Sequence, residues 1–92
     1  MSAETLLRSL MRAIDEHRWH DLVRHLHPDF VCELVHTGER FTREEWIAFN
    51  AGYPGFDRLR VEEVVAGQDS AACRSHVTSR APDGTLAHFA CA

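Results

Sequence analysis

The clearest absence in this 92-residue sequence is that of lysine, so all ten basic residues are arginines. The arginines are scattered, no two are adjacent, and the formal net charge is −4. A surface that binds nucleic acid or an anionic membrane needs clustered positive charge. The sequence therefore predicts neither nucleic acid nor a membrane as a partner.

Cysteine is also scarce, and the three cysteines (Cys32, Cys73 and Cys91) are far apart in the chain. They form no C-x-x-C pair, and the sequence has neither a signal-peptide pattern nor a long apolar run. These features favour a cytoplasmic protein with reduced thiols. We expect the cysteines to be small core residues rather than metal ligands or nucleophiles.

The local motifs of common catalytic sites are missing as well. The sequence contains no G-x-S-x-G motif, which would expose a nucleophilic serine, and no glycine-rich loop that could bind a phosphate. Seven histidines are present, but His17 and His20 lie on either side of a predicted bend, and His20 and His25 are five residues apart. Neither spacing suits a zinc site. We expect no metal ion and no cofactor.

What is present is an ordinary globular composition, 45% apolar and 26% charged. The length predicts a single domain over residues 1–92. A chain this short buries only about 60–65% of its unfolded surface, so a partner subunit would add useful buried area.

The first quarter of the sequence has the apolar spacing of helices. One apolar stripe precedes a polar stretch, "DEHR", and a second stripe follows it, so we predict two helices with a bend near His17. Pro28 stops further helix growth. The stripes comprise Leu6, Leu10, Ala13 and Ile14, then Trp19, Leu22, Val23 and Leu26.

A strand is predicted at "DFVCELV", followed by a turn at Gly38. On this strand Phe30, Cys32 and Leu34 share one face, and Glu33 lies on the other. The next stretch, "TREEWIAFN", predicts a third helix. Thr42 is its N-cap and Glu45 stands three residues later, which is the spacing of a capping box.

The second half of the sequence predicts strands. In "FDRLRVEEVVAGQ", Leu59, Val61 and Val65 share one face, and Arg60, Glu62 and Val64 lie on the other. In "SAACRSHVTSR", Cys73 and Val77 share one face. A hairpin turn at "APDG" then leads into a returning strand. The element order indicates an α+β protein with helices packed on one side of a mostly antiparallel sheet.

This arrangement resembles the nuclear transport factor 2-like superfamily, which includes SnoaL-like polyketide cyclases and ketosteroid isomerase. The resemblance is carried by "WHDLVRHLHPDFVCEL", the glycine turn, "FTREEWIAF" and "LRVEEVVAGQDSAACRSHVTSR". It implies a cystatin-like α+β cone with a curved sheet, whose interior holds a small apolar organic ligand. Family members usually run longer, so the resemblance implies that the last strand or strands are missing here or supplied by a partner. It also implies a homodimer that forms through the sheet.

The resemblance does not extend to the isomerase mechanism. Those enzymes use a carboxylate on the first strand and a tyrosine from the first helix. A gapless overlay places Leu34 and Leu10 at these positions, and neither side chain can perform the role. The single tyrosine is Tyr53, after the third helix.

Three polar residues are candidates for catalysis. Glu33 is expected to face outward, opposite Arg60 or Arg74, although a register slip would make it the best general base. His36, on the face of Leu34, would lie at the mouth of the pocket. His88 would assist either one, or would lie beside His76 on the polar convex face.

Three functions remain open from the sequence. The first is a small-molecule-binding domain with no evident catalytic machinery, and the second is a cofactor-independent cyclase, dehydratase or isomerase. The third is a protein–protein interaction module with a filled cavity. The predicted pocket lining comprises Leu10, Ile14, Phe30, Cys32, Leu34, His36, Trp46, Phe49, Tyr53 and Val77.

Overall fold

The computed structural model of the chain describes residues 2–91, with side chains over residues 2–88. It is an α+β structure, as the sequence predicts. The elements are α1 (Ala3–Asp15), a 3₁₀ helix (Trp19–Arg24), β1 (Val31–Leu34), β2 (Glu39–Thr42), α2 (Arg43–Ala51), β3 (Phe56–Ala66), β4 (Ala71–Arg80) and β5 (Leu86–Cys91).

The bend near His17 is confirmed, and its geometry has a clear cause. After α1 ends, His17 adopts a left-handed conformation with φ of 58°. The His17 N–H then donates to the Ile14 carbonyl, and the Arg18 N–H donates to the Ala13 carbonyl. This pattern is a Schellman motif, which satisfies the last carbonyls of a helix and turns the chain sharply. The chain then enters the 3₁₀ helix at Trp19.

The predicted first strand is half of a hairpin, since β1 pairs antiparallel with β2. From the sequence we predicted a turn at Gly38 and a helix that begins after Thr42, and β2 between them was not predicted. The segment is short and has a single large apolar residue, Phe41, so it has no alternation by which to recognise a strand. On β1, Cys32 and Leu34 are half-buried, whereas Val31 and Glu33 are exposed.

The capping box of α2 is confirmed. The Thr42 hydroxyl accepts a hydrogen bond from the Glu45 backbone N–H at 3.3 Å. In return the Glu45 carboxylate accepts one from the Thr42 backbone N–H at 2.9 Å. Two otherwise unpaired backbone donors are thus satisfied, and the start of the helix is fixed.

The remaining strands form a separate antiparallel sheet in the order β3-β4-β5. The register of β3 shifts at Asp57 and again at Glu62, each of which is an extra residue relative to β4. After the second shift the faces differ from simple alternation: Val64 is half-buried, whereas Val65 is 67% exposed. The prediction that Val65 shares a face with Leu59 and Val61 is therefore wrong, because a bulge reverses the pattern.

The hydrophobic core lies where α1 and the 3₁₀ helix meet the sheet. Ala13, Ile14 and Leu22 are buried, and Trp19 and Leu59 pack against them. α1 contacts both β3 and β4, so this helix packs against part of one face of the three-stranded sheet. Among the described residues, no helix has the length and apolar character needed to cross a membrane.

Candidate functional site

An open cavity of about 870 Å³ lies between the helices and the inner face of the three-stranded sheet. No Cα atom of α2 lies within 8 Å of a Cα atom in the described part of that sheet, and this separation leaves the space open. α2 is held instead by the 3₁₀ helix, β1 and β2. The lining comprises Met11, Ile14, Leu34, His36, Trp46, Phe49, Asn50, Tyr53, Phe56, Leu59, Cys73, Ser75, Val77 and Ser79.

One wall of the cavity is a face of α2. Trp46, Phe49, Asn50 and Tyr53 are spaced three or four residues apart, and this spacing places them on one side of the helix and of the residues that follow it. Phe49 is 47% exposed and Tyr53 is 45% exposed, and their rings meet edge to face at 5.9 Å. This wall presents aromatic surface to the open space rather than to a packed core.

The opposite wall is a row of alternate residues on β4. Cys73, Ser75, Val77 and Ser79 all line the cavity, so the row extends about 20 Å along the strand. Cys73 and Val77 share this face, as the sequence predicts. β3 contributes Phe56 and Leu59, which pair directly with Ser79 and Val77 in the antiparallel register.

The polar side chains of the lining are those of His36, Asn50, Tyr53, Ser75 and Ser79. The described lining contains no Asp, Glu, Arg or Lys side chain. Asn50 donates through Nδ2 to the Trp46 carbonyl at 2.8 Å, and Ser75 is buried. The Ser79 hydroxyl oxygen is buried and has no hydrogen-bond partner among the described residues.

Most of the predicted lining residues come together at this cavity, namely Ile14, Leu34, His36, Trp46, Phe49, Tyr53 and Val77. Leu10, Phe30 and Cys32 do not line it. Leu10 packs against the core, and the Phe30 ring lies 5.4 Å from that of Trp46. Burial raises the pKa of the Cys32 thiol, which keeps it in the unreactive protonated form.

Seven residues of the lining were not predicted from the sequence: Met11, Asn50, Phe56, Leu59, Cys73, Ser75 and Ser79. For two of these residues, the sequence contains a pattern that predicts their place at the cavity. The helical spacing from Trp46 points to Asn50, and strand alternation from Val77 points to Ser79. No sequence signal placed Phe56 and Leu59 on one face, because that depends on the extra residue at Asp57.

The three catalytic candidates are not brought together. Glu33 is exposed, and its carboxylate lies 3.8 Å from the guanidinium of Arg40 on β2, not beside Arg60 or Arg74 as expected. His36 is exposed and lines the cavity. His88 belongs to the other face of the sheet, where its Nδ1 lies 3.0 Å from Nε2 of His76.

The other face of the sheet carries a smaller hollow of about 280 Å³. Arg58, Arg60, His76 and Thr78 line it together with Asp15 at the end of α1. Within the described part of the chain, no three His, Cys, Asp or Glu side chains converge as metal ligands would. The larger cavity therefore remains the candidate site, and its walls are mainly apolar.

Comparisons with known proteins agree with this architecture. A solved structure from Kribbella flavida DSM 17836, named as a candidate ketosteroid isomerase, is 24% identical and superposes with a TM-score of 0.71. The match covers 96% of this chain and 76% of that one, and it shows a shared fold. No curated protein matches the sequence. The family model for the SnoaL-like domain matches residues 7–92, so the chain belongs to the SnoaL-like family within the nuclear transport factor 2-like superfamily.

Proposed function

We propose that this domain binds a small, largely apolar organic molecule in the cavity between α2 and the three-stranded sheet. The observation that carries the proposal is the cavity itself, at about 870 Å³ and lined mainly by aliphatic and aromatic side chains. Protein sites for small molecules have volumes of about 300–1,000 Å³, with apolar walls and a few polar groups.

The aromatic wall of α2 supplies a driving force for such binding. Phe49 and Tyr53 each leave close to half of their surface exposed. Covering apolar surface releases about 25 cal/mol for each Å² removed from water. A flat apolar molecule placed between this wall and the β4 row would cover both rings and Val77.

Two other functions suit the site less well. An acid–base enzyme of cyclase, dehydratase or isomerase type needs positioned proton donors and acceptors. Glu33 faces outward, and the cavity is lined instead by Leu34, the residue that the gapless sequence overlay places where the isomerases of this superfamily carry their base. A protein–protein module would need no open cavity of this size. The domain is therefore proposed to bind its ligand without isomerase chemistry.

The test is to titrate the isotope-labelled chain with naphthalene and follow backbone and methyl resonances by NMR. Saturable shifts are expected at Val77 and around Phe49, with little change on the outer face. Val77→Trp places an indole ring in the middle of the β4 row and is expected to weaken binding and reduce the shifts. Phe49→Ala removes one aromatic contact and is expected to weaken binding several-fold.

The matched control is Val65→Trp. Val65 lies on the neighbouring strand and faces away from the cavity, so the same enlargement should leave binding unchanged. Circular dichroism and amide spectra check that each variant is folded. Shifts confined to the outer face, or equal loss of binding in Val65→Trp, would contradict the proposal.

A further inference from the structure

We propose that the smaller hollow, on the outer face of the three-stranded sheet, binds a small phosphate anion between Arg60, His76 and Thr78. This site lies on the opposite side of the sheet from the cavity, so the inference goes beyond the proposed function and does not depend on it. The hollow has a volume of about 280 Å³, at the lower end of the sizes of about 300–1,000 Å³ that are usual for organic ligands. Its size therefore suits a small ionic group.

The register of the sheet brings the donor groups of the hollow together. Arg60 of β3 pairs with His76 of β4, and Arg58 pairs with Thr78, so the four residues form a block on two adjacent strands. Directly paired residues of antiparallel strands have Cβ atoms about 4.5–5.5 Å apart. All four residues line the hollow. Donors from both strands can therefore reach one anion.

The charge of the hollow favours an anion. Asp15 is the one acidic residue of the described lining, and the Arg58 guanidinium donates two hydrogen bonds to its carboxylate, so these two charges offset each other. Arg60 is left as the surplus positive charge. Its guanidinium lies 3.8 Å from the Glu62 carboxylate, beyond hydrogen-bond distance, and its side chain is 73% exposed. Because an exposed ion pair of this kind is worth little, an anion can compete for Arg60.

His76 adds a donor that depends on its neighbour His88. Nε2 of His76 lies 3.0 Å from Nδ1 of His88, so one ring donates a hydrogen bond and the other accepts it. When a neutral His88 donates through Nδ1, the proton of a neutral His76 is on its other nitrogen, Nδ1, and is free to bind an anion. An anion in the hollow would select this arrangement. The Thr78 hydroxyl supplies a second neutral donor.

The type and number of these donors favour phosphate over carboxylate. The guanidinium of Arg60 presents several N–H groups in a planar fork that matches phosphate oxygens. The neutral donors of His76 and Thr78 come from the neighbouring strand. Phosphate offers more acceptor oxygens than a carboxylate and carries more negative charge near neutral pH. We therefore expect phosphate to bind more tightly than acetate.

The test is an NMR titration of the isotope-labelled chain with sodium phosphate and, separately, with sodium acetate. Sodium chloride holds the ionic strength constant in both series. Phosphate is expected to saturate with a roughly millimolar dissociation constant and to shift the resonances of Arg60, His76 and Thr78. Acetate is expected to bind at least about three-fold more weakly. Binding of acetate as tight as that of phosphate, or shifts spread over all the arginines, would overturn the proposal.

Variants of two lining residues test the assignment. Arg60→Gln removes the surplus charge and is expected to weaken phosphate binding about five- to ten-fold, because hydrogen bonds to a charged group are lost. Arg60→Lys keeps the charge without the planar fork and should give an intermediate affinity. Thr78→Val removes one neutral donor and is expected to weaken binding about three-fold. Unchanged affinity in Arg60→Gln would reject the site.

Arg74→Gln is the matched control, because Arg74 lies two residues from His76 on the same face of β4 but does not line the hollow. It removes the same charge from the chain, so it should leave the affinity almost unchanged. Equal weakening in Arg74→Gln and Arg60→Gln would show a general effect of net charge and would overturn the proposal. Circular dichroism checks that each variant is folded. If the parent chain did not bind phosphate saturably, this site would be rejected and the proposed function of the cavity would be unaffected.

Discussion

At the scale of single residues, Asp15 joins the end of α1 to the sheet. Its carboxylate accepts two hydrogen bonds from the Arg58 guanidinium, at 2.8 and 2.9 Å, and a third from the Leu59 backbone N–H at 2.8 Å. The Asp15 side chain is 19% exposed. The bond from Arg58 lowers the pKa of this carboxyl, against the opposing effect of its burial.

Asp15→Asn is expected to lower the free energy of unfolding by about 1–2 kcal/mol at neutral pH, as expected when hydrogen bonds to a charged group are lost. Because folding lowers the pKa of Asp15, its stabilising effect is complete above the ordinary value and is lost as the pH falls through the lowered one. The difference between parent and variant should therefore shrink below about pH 4.

Urea denaturation between pH 2.5 and pH 7 measures this difference. Asp69→Asn is the control, because Asp69 is exposed in the turn between β3 and β4. It should give a small difference without the same decline in acid. If the difference in free energy of unfolding between parent and Asp15→Asn stayed constant down to the lowest pH, the predicted role of the Asp15 charge would be disproved.

At the scale of elements, the start of α2 determines where the aromatic wall of the cavity lies. Thr42→Ala removes the side-chain half of the capping box and is expected to cost about 1 kcal/mol. Thr42→Ser keeps the hydroxyl and should retain most of the stability. Denaturant unfolding gives the two values, and amide exchange in residues 43–47 should quicken in the alanine variant alone. Equal stability of the two variants would contradict the role of the cap.

The individual elements also show which parts of the fold can be predicted from the sequence and which cannot. The ends of α1 and α2 follow from short-range chemistry, because Ser2 caps the first helix and Thr42 with Glu45 caps the second. β2 and the two bulges of β3 are defined by how each strand pairs with its neighbour, and the residue pattern of a single strand does not reveal this pairing. Residues on regular elements, such as Trp46 and Val77, were therefore placed correctly at the cavity, whereas Phe56 was not recognised.

At the scale of the whole molecule, the tightly buried core is small. Leu22 is the one large side chain that is fully buried among the described residues. Leu22→Ala is expected to cost about 2–5 kcal/mol, which is a large share of the stability of so small a domain. Thermal unfolding followed by circular dichroism tests this expectation. Val23→Ala is the control, because Val23 is a neighbouring residue that is partly exposed, and it should cost much less.

Assembly also belongs to this scale, and we propose a homodimer that forms through the three-stranded sheet. In the strand order β3-β4-β5, each outer strand has one edge without a partner strand among the described residues. Unpaired strand edges favour pairing with another chain. Sedimentation equilibrium should give twice the chain mass of 10.5 kDa. A monomer at every concentration would contradict the proposal.

The extra residue at Glu62 has a consequence for how β3 tolerates changes in length. Val61 pairs with Ser75 and Glu63 pairs with Arg74, so Glu62 has no paired residue on β4. Deletion of Glu62 would leave the other residue pairs of β3 and the faces of their side chains unchanged. Deletion of Arg60 would instead move the side chains of part of the strand to the opposite face of the sheet. Because a bulge adds twist and bend to its strand, the shortened strand would be flatter. Glu62 is thus dispensable for pairing, and its expected contribution is to the twist and bend of β3.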